Sequence, residues 1–415
     1  MTDGIAKRSL RILVAGGGVT GPALAFWLTL GGHQVTVVER FPTLRASSAQ
    51  VDLRGQGIEA VERMGLLETV RSRLVDEAGV AFVDSRGKPK ATIMANTSGT
   101  GRQTLTSEYE IMRGDLVRIL HEATKDDTEY VFGKSVDGFD QDADRVTAHF
   151  SDGTSGEYDL LIGADGQGSR IRRALLPEGF DPYWRVGIHM AYWFVPRIAS
   201  DSNIRDTYMV PRGRQIMRRS HNATETQVYF VMREESAEAS AIHRAPVERQ
   251  QKFWADRFRD AGWQTDRFIE GMKDSPFFYS QEIAQVRIDS WSKGRVVLAG
   301  DAAHCASPYS GMGISGGLVG AYVLAGEVNR HAYDLPAALA NYDRVLRPFV
   351  EEIQGGVDPR ILRVGMPMNK HAIRAFQNAT ALACFFHIPD LVARFSRKDR
   401  GGDWRLPAYT DAHAV

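Results

Sequence analysis

Two glycine-bearing turns, nearly the whole chain apart, constrain this sequence more than any other feature. The first lies in the run from Arg11 to Gly21: the apolar residues Ile12 to Ala15 lead into Gly16, Gly18 and Gly21, spaced Gly-x-Gly-x-x-Gly. The second is Arg295-Val-Val-Leu-Ala-Gly300, which meets an acid at Asp301 and continues Ala-Ala-His304. Short apolar runs bounded by turns read as buried parallel strands. An early and a late strand must therefore meet in one α/β layer.

The first turn has a specific physical use. The leading glycine permits the tight bend, the second lets a pyrophosphate approach the backbone, and the third allows close helix–strand packing. Pro22 and the stretch Ala23 to Leu30 read as a buried helix stopped by Gly31-Gly32. The helix N-terminus offers free N–H groups and positive potential to a phosphate. The next strand, Gln34 to Glu39, ends in an acid suited to ribose hydroxyls, and Arg40 beside it joins the same candidate set. A chance glutamate after a glycine-rich turn is the competing reading. Together the two turns suggest FAD held at both ends. A second Gly-x-Gly-x-x-Gly match, Gly311 to Gly316, follows a polar loop rather than a strand, so one dinucleotide domain is expected.

Two further motifs add to this. Tyr158 to Ala164 reads as a strand delivering Asp165 to the segment Asp165-Gly-Gln-Gly-Ser-Arg-Ile-Arg172, where Ser169 can cap a helix beginning near Arg170. Downstream of Gly300-Asp301 lie Pro308, Gly311 and Gly313. On these three motifs the chain resembles the single-component flavoprotein monooxygenases of the para-hydroxybenzoate hydroxylase type, within them most like tetracycline-inactivating and polyketide-tailoring enzymes. The likeness runs over roughly residues 10 to 395. It implies that Asp301 bonds the ribityl chain of FAD and that Pro308, Gly311, Gly313 and Ile314 lie beside the isoalloxazine. It also implies FAD contacts for Arg113 and Asp52 and a nicotinamide contact for Arg45. Read as residues alone, Arg45 and Asp52 could equally be a loop arginine and a solvated aspartate; the competing reading of Arg113 is an exposed arginine before a helix. Ser315 stands where that family usually has asparagine. Independently, Gly311 to Asn329 reads as a helix of small apolar residues, whose N-terminus favours the negative charge of a reduced flavin.

From 181 to 280 the pattern changes to β-strands rich in aromatic and branched residues: Arg185 to Phe194, Asp206 to Val210, Gln215 to Met217 and Thr226 to Val231. The fold class expected is therefore α/β. A Rossmann-like FAD-binding domain (1–180 with 281–355) carries an inserted antiparallel β-sheet substrate domain (181–280). A C-terminal bridging helix (356–395) and a loose tail (396–415) follow. Gln250 to Met272 reads as one helix. Alternation sends His189, Ala191 and Trp193 to one face and Met190, Tyr192 and Phe194 to the other. By likeness to the family, His189, Met217 and Tyr229 are the candidate substrate contacts.

The bulk composition excludes other classes. Lys+Arg and Asp+Glu are both 51, so no global field draws the chain to nucleic acid or anionic membrane. Cys305 and Cys384 make neither a disulfide framework nor a zinc cluster. The first apolar run is interrupted by the glycine turn, unlike a signal peptide, and no stretch is long enough to span a bilayer. A cytoplasmic monomer or weak homodimer is expected, without a metal. The resemblance implies an enzyme using FAD, NADPH or NADH and O2, through a flavin C4a-hydroperoxide, to hydroxylate an aromatic or polycyclic small molecule. No protein nucleophile is then required. A FAD-dependent dehydrogenase and a non-catalytic flavin-binding module stay open as alternatives.

Overall fold

The computed structural model describes residues 9–44, 49–95, 109–386 and 403–409. Its first layer is a six-stranded sheet in the order Ser292–Lys293, Val296–Leu298, Leu160–Gly163, Arg11–Ala15, Gln34–Glu39 and Glu129–Phe132. All its pairings are parallel except the short edge strand Ser292–Lys293. The early and late apolar runs lie on either side of Leu160–Gly163, as buried parallel strands should. Helices Thr20–Leu30, Gly313–Arg330 and Leu335–Gly355 pack with this sheet in one core. Gly313–Arg330 is apolar nearly all round and is buried over most of its length. A small antiparallel meander, Val136–Gln141, Val146–Phe150 and Ser155–Tyr158, precedes the Leu160 strand.

The second large sheet has seven strands, in the order Phe278–Val286, Tyr183–Pro196, Glu225–Arg233, Arg214–Ser220, Ile204–Val210, Gly79–Val83 and Pro89–Met94. It is larger than the 181–280 segment. The hairpin Gly79–Met94 adds to its edge, with Gly79–Val83 parallel to Ile204–Val210, and the last strand runs on to Val286. One face packs on helices Val247–Phe258 and Thr265–Asp274 through Trp193, Phe230, Trp254, Phe258 and Phe268. The single helix expected over Gln250 to Met272 is broken, because Gly262 and Trp263 both take positive φ, 85° and 55°.

The opposite face carries Tyr192, Tyr229 and Met217 at its centre and Phe82, Ala91 and Met209 toward the hairpin edge. Helix Lys370–Phe385 covers that edge through Ile373 and Phe376. It is separated from helix Pro359–Gly365 at Met366-Pro367, where the proline disfavours helical backbone in the preceding residue.

The expected loose tail is wrong for residues 403–409. Leu406 and Tyr409 are buried in the main core. Tyr409 occupies the space where a Cβ on Gly326 would stand, 2.3 Å from its ring, and its hydroxyl donates to Glu327 at 2.8 Å. Gln56 and Arg63 donate to the carbonyls of Trp404 and Pro407. Two buried aromatic or aliphatic anchors outweigh the polar composition around them. Among the described residues, no helix is long and apolar enough to cross a membrane.

Candidate cofactor and substrate site

The glycine turn is built as its spacing demands. Gly16 has φ 120°, and a Cβ there would stand 2.4 Å from the Ala164 carbonyl oxygen, so only glycine fits. Gly18 lies beneath Arg113: a Cβ on it would be 3.1 Å from the Arg113 Nη2. Helix Thr20–Leu30 starts without a side-chain cap, which leaves first-turn N–H groups for an anion. Glu39 accepts from the Gly17 N–H at 2.7 Å and the Phe41 N–H at 3.0 Å. It ties the strand end to the turn and keeps lone pairs for a hydroxyl donor. Arg40 is exposed, its guanidinium over the Phe41 ring. Arg45 lies outside the described residues.

The two distant motifs meet here. Gly300, at φ 59°, sits against Thr20, whose Oγ1 would be 2.4 Å from a Cβ at 300. Arg172 is fully buried and donates to the Ala302 carbonyl at 2.8 Å and to the Tyr183 hydroxyl at 2.7 Å. Ser169 caps its helix by accepting from the Arg172 N–H at 2.9 Å. Asp165 accepts through Oδ2 from the Arg170 N–H at 2.6 Å, while its buried Oδ1 has no protein partner. Asp301 opens a short helix at a point still reachable by solvent within a recess. Its enclosed surroundings raise its carboxyl above the usual range, and the Arg113 charge opposes this.

The loop after Asp301 turns twice. Pro308 begins a 3-10 turn that ends at Gly311 with φ 64°. Helix Gly313–Arg330 then starts with no side-chain cap and with open space where a Gly313 Cβ would be, while Ile314 packs on the core. Ser315 is fully buried and its Oγ accepts from the Arg54 N–H at 2.9 Å. Asp52 pairs with the Arg54 guanidinium at 3.0 Å.

An uncapped helix start over a glycine turn, an arginine above it, and a second uncapped helix start beside an acid form a donor set that fits FAD. The pyrophosphate would take Gly16 to Gly21 with Arg113, the ribityl hydroxyls Asp301, and the ring carbonyls the N-terminus at Gly313. The orphaned Asp165 Oδ1 is a further acceptor in this region. A separate groove of about 630 Å³ between Arg212, Arg214, Arg233, Arg257 and Arg259 borders helix Val247–Phe258 instead. Most of its arginines are paired with Asp260, Glu234 or Asp256.

Comparison with known proteins places the chain in a family. The FAD binding domain family matches residues 9–353. FAD-dependent monooxygenase asL4 of Sarocladium schorii is 35% identical, covering 97% of this chain and 98% of that protein. Flavin-dependent monooxygenase eupH of a Phoma species is 36% identical, covering 90% and 92%. The chain belongs to the FAD-dependent monooxygenases. Among solved structures, tetracycline destructase Tet(55) superposes with a TM-score of 0.78 at 28% identity, over 97% of this chain and 99% of that one.

In this monooxygenase the three sequence-derived substrate candidates do not share a surface. Met217 and Tyr229 face one another across a strand pair, beside Tyr192. His189 points the other way, paired in register with Met232 under the helices. It is fully buried, its Nε2 donating to the Glu234 carbonyl and its Nδ1 2.9 Å from His243 Nε2. His189 therefore leaves the candidate set, because period-two alternation separates it from Tyr229.

The face opposite His189 is aromatic. Tyr192 lies 5.3 Å from both Tyr229 and Tyr279, ring centre to ring centre. The Ala49 N–H donates to the Tyr192 hydroxyl, and the Ala49 carbonyl accepts from the Arg113 N–H at 3.1 Å. Met366 packs on the same cluster and approaches the Tyr309 hydroxyl, in the Pro308 turn, at 4.0 Å. Sequence reasoning missed Tyr192, Tyr279 and Met366. Alternation had put Tyr192 on the face opposite His189, and choosing that face would have found it.

Proposed function

We propose that this monooxygenase uses NADPH or NADH and O2 to hydroxylate an aromatic or polycyclic small molecule. The observation that carries the reading is the aromatic face of Tyr192, Tyr229 and Tyr279, with half-buried Met217, joined through Met366 to Tyr309 of the Pro308–Gly313 loop. Flat aromatic side chains recognise flat apolar substrates through stacking and burial. Bound FAD supplies the electron and oxygen-transfer chemistry. The chain's task is to orient and to exclude water. Gly16, Gly18, Gly21, Arg113, Asp301 and the Gly313 helix start hold the cofactor; Met366 and Tyr309 close the edge between sheet and loop. Among the described residues one strand runs through a Gly-x-Gly-x-x-Gly turn into a helix, so the nicotinamide is read as a visitor without a dinucleotide domain of its own. The relatives' names support the reaction class, and the likeness to tetracycline destructases supports a polycyclic substrate.

The test is NAD(P)H and oxygen consumption by the FAD-loaded protein across phenolic and polycyclic compounds, with 18O2 and mass analysis of the product. A compound that accelerates both and gains one 18O atom is the expected result. Turnover without label would make the protein a dehydrogenase, and no acceleration by any compound would remove the proposal.

A further inference from the structure

The seam between the two sheets holds a cross-strand pair of acids. Gln50–Asp52 and Glu110–Met112 form a two-stranded antiparallel ladder in which Asp52 stands directly opposite Glu110. Such pairs have their side chains side by side, and two like charges there repel. At that placement a hydrogen bond between the two carboxyl oxygens requires a proton between them.

Glu77 is a second carboxyl against Glu110, both of them held by the Arg219 guanidinium. Glu110 also accepts from Gln50 Nε2 at 2.5 Å and from Arg219 Nη2 at 2.7 Å. Arg219 is simultaneously bidentate to Glu77, at 3.0 and 2.8 Å, so its charge is divided between two acids. Arg205, on the neighbouring strand, adds a third cation, whose buried Nε has no partner. Tyr229 is the titratable group facing the cluster from the next strand, its hydroxyl donating to Gln227. On the other side, Asp52 pairs with Arg54. The Arg54 Nε stands 3.2 Å from where a Cβ on Gly311 would be, against the loop that the preceding section assigns to the flavin ring.

We propose that Asp52 and Glu110 share a single proton and act as a positioning pair, setting through Arg54 the charge presented at the Gly311–Gly313 loop. This rests on the flavin reading above. Burial, only partly opposed by the Arg219 charge and reinforced by Asp52 and Glu77, pushes Glu110 up to about 8. Asp52 is held below its usual range because the charges of Arg54 and Arg219 overcome its own burial. Glu110 is thus the protonated member at neutral pH. Above about pH 8 the proton leaves to solvent, and the seam gains one negative charge next to an anionic cofactor.

Two measurements test the pair. Infrared or 13C-carboxyl NMR titration of the apoprotein should show one protonated carboxyl at pH 7 that is lost through about pH 8. Glu110→Gln, which keeps a donor toward Asp52 and an acceptor for Arg219, should abolish it. FAD titration should then show a wild-type Kd rising roughly twofold to tenfold from pH 7 to 9, the range for one added charge within a Debye length. Glu110→Gln should give a flat profile. No protonated carboxyl at pH 7 overturns the shared proton, and the wild-type NMR titration decides this even if the variant does not fold. Equal FAD profiles in wild type and Glu110→Gln overturn the link to the flavin loop. If FAD binds at no pH, the functional reading fails while the apoprotein titration still reports on the pair.

Discussion

The Arg172 guanidinium donates to the Ala302 carbonyl at 2.8 Å, spanning 130 positions of sequence. One buried fork joins the Asp165–Arg172 motif to the Gly300–Asp301 motif, and its second nitrogen also serves the Gln167 carbonyl and the Tyr183 hydroxyl. The short helix that Asp301 opens is thereby tied to the Asp165–Arg172 motif.

Arg172→Met should therefore destabilise the apoprotein by about 2–4 kcal/mol, because the Ala302 carbonyl loses its guanidinium donor and the Gln167 carbonyl keeps only the Tyr183 hydroxyl. Arg172→Lys should recover only part of this, since an ammonium lacks the planar fork. Denaturant unfolding measures both. FAD affinity should fall in the order wild type, Lys, Met; equal stability of all three proteins would contradict the role.

Two glycines in one turn should separate fold from cofactor binding. Gly18→Val brings its Cβ against the far end of the Arg113 side chain, 3.1 Å from Nη2. It should weaken FAD binding more than about tenfold while changing stability by less than about 1 kcal/mol. Gly16→Ala forces a Cβ into the Ala164 carbonyl at φ 120° and should cost about 2 kcal/mol or more. Isothermal titration and thermal melts distinguish the two patterns.

The His189–His243 chain predicts acid sensitivity. Ser280 Oγ lies 2.6 Å from His243 Nδ1 and accepts from the Trp254 indole at 2.9 Å. That arrangement suits two neutral rings. Burial lowers His243 to about 4, helped by His189. The unfolded chain then binds more protons than the folded one between about pH 6.5 and 4, so stability should decline as pH falls through that window. His243→Gln, which can still donate to His189 and accept from Ser280, should flatten the decline in Tm.

The two faces of the second sheet should answer differently to substitution. Met217→Trp fills space beside Tyr229 and should raise KM for a turned-over substrate several-fold, leaving FAD affinity unchanged. His189→Ala lies under the helices and should lower Tm with KM unaltered. A KM effect at His189 with none at Met217 would reverse the assignment of the faces.

Much of this molecule was readable from local pattern. The strands at Ile12, Gln34, Leu160 and Val296, the Ser169 cap and the helix after Gly313 each follow from a few adjacent residues. What escaped was non-local or a matter of choice between equals. Nothing in Gly79–Met94 says that it pairs with Ile204–Val210, because strand partners are fixed by tertiary packing. Alternation divided Arg185–Phe194 into two faces but could not tell which one the helices cover. The break at Gly262-Trp263 needed a tryptophan in left-handed backbone, which sequence does not announce. Arg172 was seen as the last letter of a motif, and its partner Ala302 is visible only once the fold is built.

The seat of Tyr409 against Gly326 has a practical side. The helix that begins at Gly313 is latched from behind by a ring arriving more than 80 positions later, with the Tyr409 hydroxyl on Glu327. Cutting the chain after residue 402 should loosen that latch and bleach the holoprotein by releasing its chromophore, although every flavin-contacting candidate is retained.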